Sequence, residues 1–237
     1  MIIKNKKITK KYNTKNFNFE KLFLKHFKKF KVKKLENIHK NLPNIYLPNK
    51  VVLVKKDQGL KIYKYLYKID KGYDLNKTNE PSNFLKLYEK FVKYIAKNIF
   101  KEFLVYQGRP TLRVMFPNNK AVGEFHRDRD YNHPIEEINI WVPVTTSKNT
   151  NAMWMESKFN KKDYKPVNLN FGQFLIFDSG LKHGNKINLE NKTRISFDFR
   201  VIPYSKWKKI QSKKIKSSFN QKLKFKLGDY YKLMEYN

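Results

Sequence analysis

Hydrophobic positions recur with two different periods along the chain, and the period changes near residue 103. Before this point, apolar residues recur at helical spacing, which predicts amphipathic helices over about 17–33 and from Ser82, as N-cap, to about 102. After it, apolar and polar residues alternate, which predicts short strands over 111–116, 122–128, 136–145, 151–157, 173–178 and 193–202. This spacing favours a mainly β fold, an all-β sandwich or barrel with helices buttressing one sheet.

The change of pattern also predicts three regions. Residues 1–102 form a basic arm and a helical N-terminal buttress, and within them 1–16 is expected to be mobile. Residues 103–203 form the β core, where we expect the chemistry. Residues 204–237 form a lysine-rich C-terminal extension that packs on the core.

Composition excludes several classes of protein. The chain contains no cysteine, so disulfides, thiolate zinc sites and a cysteine nucleophile are excluded. No apolar run approaches the roughly 18 residues that a membrane helix needs, and Met1 to Lys11 lacks the apolar centre of a signal peptide. We therefore expect a cytoplasmic protein with no membrane partner, and its oligomeric state stays open.

The formal net charge of +32 suggests a polyanionic partner, but the type of basic residue favours another explanation. Of the 52 basic residues only six are arginine, and the abundant lysine, asparagine, isoleucine, phenylalanine and tyrosine are typical of A+T-rich coding sequence. A lysine-coated surface set by composition is therefore preferred, and nucleic-acid binding is the alternative. All arginines lie between positions 109 and 200, which indicates sites that need a planar, bidentate guanidinium.

A metal site is predicted from three side chains that lie apart in the sequence: His126, Asp128 and His183. Glu124, His126 and Asp128 share one face of the predicted strand 122–128, because alternate residues of a strand point the same way. His183 follows the predicted strand 173–178 and is the preferred third ligand, although alone it reads as a loop histidine. Two histidines and one carboxylate are typical of a non-haem iron(II) site that keeps positions open for a chelating cosubstrate and dioxygen.

The last predicted strand has an unusual polar face. Ile195, Phe197, Phe199 and Val201 alternate with Arg194, Ser196, Asp198 and Arg200. An all-polar face on a central strand is costly unless it lines a wet or liganded cavity. We expect Arg194 and Ser196 to hold the far carboxylate of 2-oxoglutarate. The alternative for Arg194 is a structural ion pair with Asp198 or Glu190.

Further residues are weaker candidates. Asn139 and Trp141 share a strand face, and we expect Asn139 to reach the cosubstrate and Trp141 the substrate, with ordinary barrel lining as the alternative. The other candidate substrate contacts are Arg113, Glu124, Arg129 and Arg200. The alternative for Arg113 and Arg129 is an ion pair with Glu124 or Asp130. The remaining histidines are interpreted as packing, surface or turn residues: His26, His39 and His133.

Several stretches resemble one known family. They are Thr111 to Val114, Gly123 to Tyr131, Glu137 to Pro143 and Gly172 to Pro203, with a weaker match at Gly228 to Tyr231. Together they resemble the 2-oxoglutarate/Fe(II) oxygenase superfamily, and within it the StrG-like group of bacterial biosynthetic oxygenases. The resemblance implies a double-stranded β-helix (jelly roll) and an Fe(II)-dependent reaction of 2-oxoglutarate with dioxygen. It further implies release of succinate and CO2, with oxidation of a second substrate.

The polar cavity face favours a small polar substrate, such as a sugar, an amino acid or a nucleotide-linked intermediate. Two other functions remain open. The basic charge and the six-residue step from Arg194 to Arg200 are compatible with an AlkB-like nucleic-acid demethylase. A jelly-roll binding protein without catalysis is the third possibility, which the intact ligand set argues against.

Overall fold

The structure, a computed structural model, describes residues 3–48, 60–70, 82–120, 124–210 and 224–236. The helices are α1 (Phe19–His26), α2 (Ile38–Asn41), α3 (Leu60–Ile69), α4 (Asn83–Ile95) and α5 (Tyr204–Ile210). The strands are β1 (Lys7–Lys11), β2 (Leu104–Gln107), β3 (Thr111–Met115), β4 (Ile138–Pro143), β5 (Met153–Met155), β6 (Lys165–Val167), β7 (Gln173–Asp178), β8 (His183–Asn185), β9 (Arg194–Pro203) and β10 (Tyr231–Met234). Among these helices, none is both long and apolar enough to cross a bilayer.

The strands form two antiparallel sheets, which confirms the expectation of a mainly β protein with several helices. The larger, seven-stranded sheet runs β1-β7-β4-β9-β2-β10, and β3 also pairs with β9. The smaller sheet runs β6-β5-β8. Because β9 is ten residues long, β4 pairs along its middle while β3 and β2 share its other side.

Alternation in the central strands separates two environments. Ile195, Phe197 and Phe199 of β9 belong to the main apolar core, together with residues of α1 and α4. The Phe197 ring lies 4.8 Å from that of Phe19, and the Phe199 ring 5.0 Å from that of Tyr88. Each such buried aromatic side chain contributes roughly 1.5–3 kcal/mol. The helices therefore cover one face of the large sheet, as the aromatic periodicity predicted.

The opposite face of the large sheet is covered in two parts. Trp141 of β4 and Phe177 of β7 pack against the small sheet, in a cluster that includes Met153 and Met155. Val105 and Ile202 instead pack under the C-terminal residues, in a cluster that includes Tyr231. Polar residues of β4 and β9 lie between these two clusters, and the candidate site is built there.

The predicted helix starts agree with the structure, whereas the predicted lengths do not. The Ser82 hydroxyl accepts the Leu85 N–H at 3.0 Å, which confirms it as the N-cap of α4. The Asp70 carboxylate accepts the N–H groups of Asn83 and Phe84 at the same helix end. The first predicted helix shortens to α1 and a separate 3-10 turn, and α4 ends in a π-helical turn at Ala96–Phe100.

Two predictions about local structure are wrong. The described part of the predicted strand 122–128 is a loop with one isolated bridge at His126, followed by a 3-10 turn at Asp128–Tyr131; 122 and 123 lie outside the described residues. Within the predicted mobile arm, Lys7–Lys11 forms β1 and pairs along the whole of its length with β7. Its pairing depends on backbone hydrogen bonds, which a mostly polar sequence does not reveal.

Candidate metal centre and carboxylate pocket

Two segments bring the predicted ligands together. His126 and His183 exchange backbone hydrogen bonds, each N–H donating to the other carbonyl at 2.9 Å. This bridge adds the loop at His126 to the small sheet beside β8. Asp128, two residues further on, is held by its own N–H, which donates to the Ser179 carbonyl at 3.2 Å. These backbone hydrogen bonds therefore bring the side chains of His126, Asp128 and His183 close together.

The three side chains offer a compact set of metal ligands. One ligand atom from each of His126, Asp128 and His183 lies within 4.8 Å of the others. Asp128 Oδ1 is 3.3 Å from His126 Nε2 and 3.9 Å from His183 Nε2. Two imidazole nitrogens and one carboxylate oxygen are a donor set that suits Fe(II) and leaves part of its coordination sphere to other ligands.

Backbone carbonyls orient both imidazoles. His126 Nδ1 lies 2.6 Å from the Glu124 carbonyl oxygen, and His183 Nδ1 lies 2.9 Å from that of Leu181. A carbonyl oxygen can only accept, so each Nδ1 carries the hydrogen and each Nε2 presents its lone pair. Both Nε2 atoms are those that face Asp128. The folded chain therefore holds both histidines in the tautomer that binds metal.

The second oxygen of Asp128 is held by neighbouring side chains. Arg200 donates to Asp128 Oδ2 from Nε at 3.0 Å, and its Nη2 lies 2.9 Å from the same oxygen as an ion pair. Asn139 donates its side-chain amide to this oxygen at 2.8 Å. Asn139 and Arg200 are cross-strand partners on β4 and β9. Both residues also line the open pocket beside the metal ligands, so the predicted contacts of Asn139 with the cosubstrate and of Arg200 with the substrate stay predictions. On Asp128 they fix the orientation of the carboxylate and leave Oδ1 facing the imidazoles.

Electrostatics favour the ionised carboxylate and a neutral His183. Burial raises the pKa of Asp128, but Arg200 and the nearby imidazoles outweigh it and hold that pKa well below its usual range. Burial lowers the pKa of His183 against the attraction of Asp128. Burial also acts to lower the pKa of His126, but Asp128 and the Glu124 carbonyl outweigh it and raise that pKa. Metal ligands must be deprotonated, so the Asp128 and His183 environments are suited to binding.

An open pocket lies beside these ligands. Its volume is about 470 Å³, including the open solvent at its entrance. Its walls come from both sheets, and it contains the polar face of β9. The lining residues are Arg113, His126, Asn139, Trp141, Met153, Phe177, His183, Gly184, Asn185, Arg194, Asp198 and Arg200.

Arg194 is the least compensated charge in this pocket. Its side chain is 1% exposed. Nη1 donates a 2.7 Å hydrogen bond to the Asn151 carbonyl, and the guanidinium lies 5.8 Å from the centre of the Trp141 ring. Among the described residues, no carboxylate lies within ion-pair distance of it. Burial, joined by the charge of Arg113, lowers the pKa of Arg194 to about 10, so it remains protonated at neutral pH. A buried guanidinium without a counterion favours an anionic ligand.

Two buried polar atoms on the polar face of β9, one of them in the guanidinium itself, strengthen that argument. Arg194 Nε and the Ser196 hydroxyl have no hydrogen-bond partner within the described residues. Buried donors are normally satisfied, so both are available to a ligand. The expected alternative pairing of Arg194 does not occur, because Asp198 contacts Arg113 and Arg200 and Glu190 accepts from Thr150.

The remaining candidates divide between the pocket and the surface. Arg113 and Trp141 line the pocket, and Arg113 Nε donates to Asp198 at 3.2 Å. Arg129 is not among the described residues that line this pocket and donates to Asp178 at 2.6 Å, so its predicted substrate contact stays a prediction. Glu124 is exposed, and its backbone carbonyl, rather than its carboxylate, serves the site by orienting His126.

The other histidines have structural partners. His26 is buried, with Nε2 at 3.6 Å from Asp70, and His39 lies at 2.9 Å from the Thr193 hydroxyl. His133 is more than a turn residue, because its Nδ1 bonds the buried Glu137 carboxylate at 2.8 Å. The sequence offered no signal for this pairing except the four-residue step between them.

Gly184 provides a test of how the His126 loop is positioned. A Cβ at residue 184 would lie 2.9 Å from both Cα and N of Phe125, so backbone must move. We expect Gly184→Ala to displace His126 and weaken Fe(II) binding by at least ~10-fold, a loss typical of displaced metal surroundings. Anaerobic titration with Fe(II) measures this.

Gly108→Ala is the matched control for that variant. The three atoms nearest to a Cβ there all belong to the flexible Lys232 side chain, the first of them at 3.3 Å. Its Fe(II) affinity should stay at the wild-type value. Equal affinities in the two variants would show that the contact between Phe125 and Gly184 does not position His126.

Comparison with known proteins adds one sequence relative. No family model matches the chain. Over 126 residues it is 37% identical to the streptomycin biosynthesis protein StrG of Streptomyces griseus. The aligned stretch covers 53% of this chain and 58% of that protein. The chain therefore matches little more than half the length of this curated relative. The similarity agrees with the family resemblance seen in the motifs.

Solved structures show weaker similarity. AviO1 from Streptomyces viridochromogenes Tue57 has a TM-score of 0.45 at 12% identity, over 84% of this chain and 90% of that one. The non-heme alpha ketoglutarate dependent carbocyclase SnoK from nogalamycin biosynthesis has 0.44 at 10%, over 65% and 72%. CytC3 with Fe(II) and alpha-ketoglutarate has 0.36 at 16%, over 84% and 74%. TM-scores of this size do not establish a common fold.

Proposed function

We propose that this protein is an Fe(II)- and 2-oxoglutarate-dependent oxygenase of the StrG-like group, acting on a small polar metabolite. One observation supports this above all. His126 and His183 present oriented lone pairs next to Asp128, and these two histidines line the same pocket as the buried Arg194 guanidinium, which has no described carboxylate partner. A 2-oxo dicarboxylate is a ligand that satisfies both features, since one end chelates metal and the other needs a cation.

Each residue has a distinct task in this proposal. His126, Asp128 and His183 hold Fe(II), while Arg200 and Asn139 fix the carboxylate of Asp128. Bound Fe(II) would supply the activation of dioxygen. One oxygen atom would oxidise 2-oxoglutarate to succinate and CO2, and the other would oxidise the substrate. The protein contributes binding, orientation and exclusion of water.

Arg194 and Ser196 are proposed to hold the far carboxylate of 2-oxoglutarate. The guanidinium provides a charged hydrogen-bonding fork, and the hydroxyl adds a donor that has no described partner. The guanidinium lies over the Trp141 ring, 5.8 Å from its centre. We also propose that 103–203 is a double-stranded β-helix core, with 1–102 as its helical buttress and 204–237 as an extension packed on it.

The substrate side of the pocket is polar. Asp198 and Arg113 form an ion pair along its wall, and the side-chain oxygen Oδ1 of Asn185 has no hydrogen-bond partner among the described residues. These groups suit a substrate rich in hydroxyl or amino groups, such as a sugar or an amino acid, better than an apolar one. The similarity to a streptomycin biosynthesis protein supports a role in the biosynthesis of such a compound.

The decisive experiment is anaerobic. Fe(II) and 2-oxoglutarate added to the protein should give the weak visible charge-transfer band of the iron chelate, and His126→Ala should abolish it because one of three ligands is lost. His39→Asn, which changes a histidine outside the pocket, should keep the band. A wild-type protein without the band would refute the proposed cosubstrate, and Fe(II) binding without succinate release on adding metabolites and dioxygen would favour a binding protein.

The net charge of +32 favours a second candidate, the nucleic-acid demethylase. If nucleic acid is the substrate, its binding should fall steeply with added salt, because phosphate contacts release counterions. The second test is demethylation of a methylated oligonucleotide, with succinate formed in proportion. That result would make nucleic acid, instead of a metabolite, the preferred substrate.

A further inference from the structure

The C-terminal segment Phe225–Met234 ends in β10, an edge strand of the large sheet whose β4 and β9 carry Asn139 and Arg200, the residues that hold Asp128. Gly228, at φ +82°, allows a tight turn that is closed by a 3.0 Å hydrogen bond from its N–H to the Tyr231 carbonyl. After the turn, β10 pairs with β2 and sets Tyr231 opposite Gln107. Trp207 and Phe225 pack around the Tyr231 ring. The turn and the pairing together bury this tyrosine completely.

The Tyr231 hydroxyl is part of a buried polar network. It donates to Glu137 Oε1, and Glu137 Oε2 accepts from His133 Nδ1 at 2.8 Å. Tyr231 is 0% exposed and Glu137 2% exposed. Burial and the neighbouring Glu137 raise the pKa of Tyr231, so the hydroxyl keeps its proton and remains the donor. The buried carboxylate therefore depends on this tyrosine for one of its hydrogen bonds.

Two routes lead from Tyr231 to the metal ligand Asp128. Glu137 immediately precedes β4 and is two residues from Asn139, whose amide donates to Asp128 Oδ2 at 2.8 Å. On the other side, Gln107 Oε1 accepts from Arg200 Nη1 at 3.2 Å, and Arg200 also donates to Asp128 Oδ2. β10 thus braces both residues that hold the carboxylate.

We propose that Tyr231 is a positioning residue for Asp128, acting through Glu137 and β4 and through Gln107 on β2. It touches neither metal nor substrate in this proposal. Its effect is to keep Asn139 and Arg200 in place, so that Asp128 presents Oδ1 to the metal. The identity of the metal rests on the proposed function, whereas the positioning itself does not depend on 2-oxoglutarate.

Tyr231→Phe tests this role, because it keeps the packed ring and removes only the hydroxyl. Tyr236→Phe is the matched control, a tyrosine just beyond β10 whose ring centroid lies 5.4 Å from that of Phe103. With Co(II) as the probe, we expect Tyr231→Phe to weaken binding by ~10-fold, typical of a lost outer-shell contact, and to alter the visible ligand-field bands. Tyr236→Phe should match wild type in both.

A readout without metal completes the test. In the metal-free protein, the side-chain amide NMR signals of Asn139 should shift in Tyr231→Phe and stay unchanged in Tyr236→Phe. Wild-type Co(II) spectra and wild-type Asn139 signals in Tyr231→Phe would overturn the positioning role, as would a wild-type protein that binds no Co(II). A missing 2-oxoglutarate band in a protein that binds Co(II) would instead reject only the proposed cosubstrate.

Discussion

Asp128→Asn should abolish Fe(II) binding, with a loss well beyond the ~10–100-fold that outer-shell changes cause. The substitution removes the negative charge. Because Arg200 and Asn139 donate to Oδ2, the amide oxygen should stay at that position, and the amide nitrogen, which has no lone pair to offer a metal, should then face both imidazoles. The substitution also deprives the Arg200 guanidinium of its main counterion, and breaking a buried ion pair costs ~3–5 kcal/mol. We therefore expect a lower melting temperature together with the lost affinity, as measured by calorimetry and by anaerobic Fe(II) titration.

Asp130→Asn is the control for that prediction. It carries the same chemical change two residues away, on a carboxylate that accepts only a 3.3 Å hydrogen bond from the Arg127 N–H in the described structure. It should bind Fe(II) like wild type. Retained Fe(II) affinity in Asp128→Asn would mean that the metal, if bound, lies elsewhere.

Arg194→Ala should weaken 2-oxoglutarate binding by on the order of 100-fold, because it removes a buried charged fork. Fe(II) affinity should stay unchanged, since Arg194 contacts none of the metal ligands. Arg194→Lys keeps the charge but not the planar geometry, so an intermediate loss is expected. The dependence of the charge-transfer band on the 2-oxoglutarate concentration gives the affinities of wild type, Arg194→Ala and Arg194→Lys.

A second ligand separates anchoring from a structural role. 2-Oxopentanoate keeps the chelating 2-oxo acid but lacks the far carboxylate. If Arg194 binds that carboxylate, wild type and Arg194→Ala should bind 2-oxopentanoate equally weakly. An equal loss for both ligands would show instead that Arg194 supports the pocket through the Asn151 carbonyl and Trp141.

Much of the fold could be predicted where side-chain alternation records burial on one face. The strands β3, β4, β7 and β9 were predicted within a few residues for this reason. In contrast, β2 is buried on both faces, so Leu104–Gln107 shows no alternation. β10 follows a lysine-rich stretch, and its contribution depends on pairing with β2, which only the folded chain reveals.

The ligand residues could be proposed from residue type and order, but their surroundings could not. His126 was assigned to a strand, whereas the structure has a loop that joins the small sheet by one bridge. The contact of Arg200 with Asp128 depends on its register opposite Asn139, and sequence does not record cross-strand register. The roles of Glu137 and Tyr231 depend in the same way on distant strands meeting in the sheet.

The position of β1 has a consequence for self-association. It is the terminal strand on one side of the large sheet, four of its five residues are exposed, and three are lysine. A bare strand edge is a template for aggregation, and ammonium groups along it repel a second copy of the same molecule. The apolar strand Gln173–Asp178 is thus shielded by a neighbour that resists edge-to-edge joining. This protection should weaken as salt screens the charges.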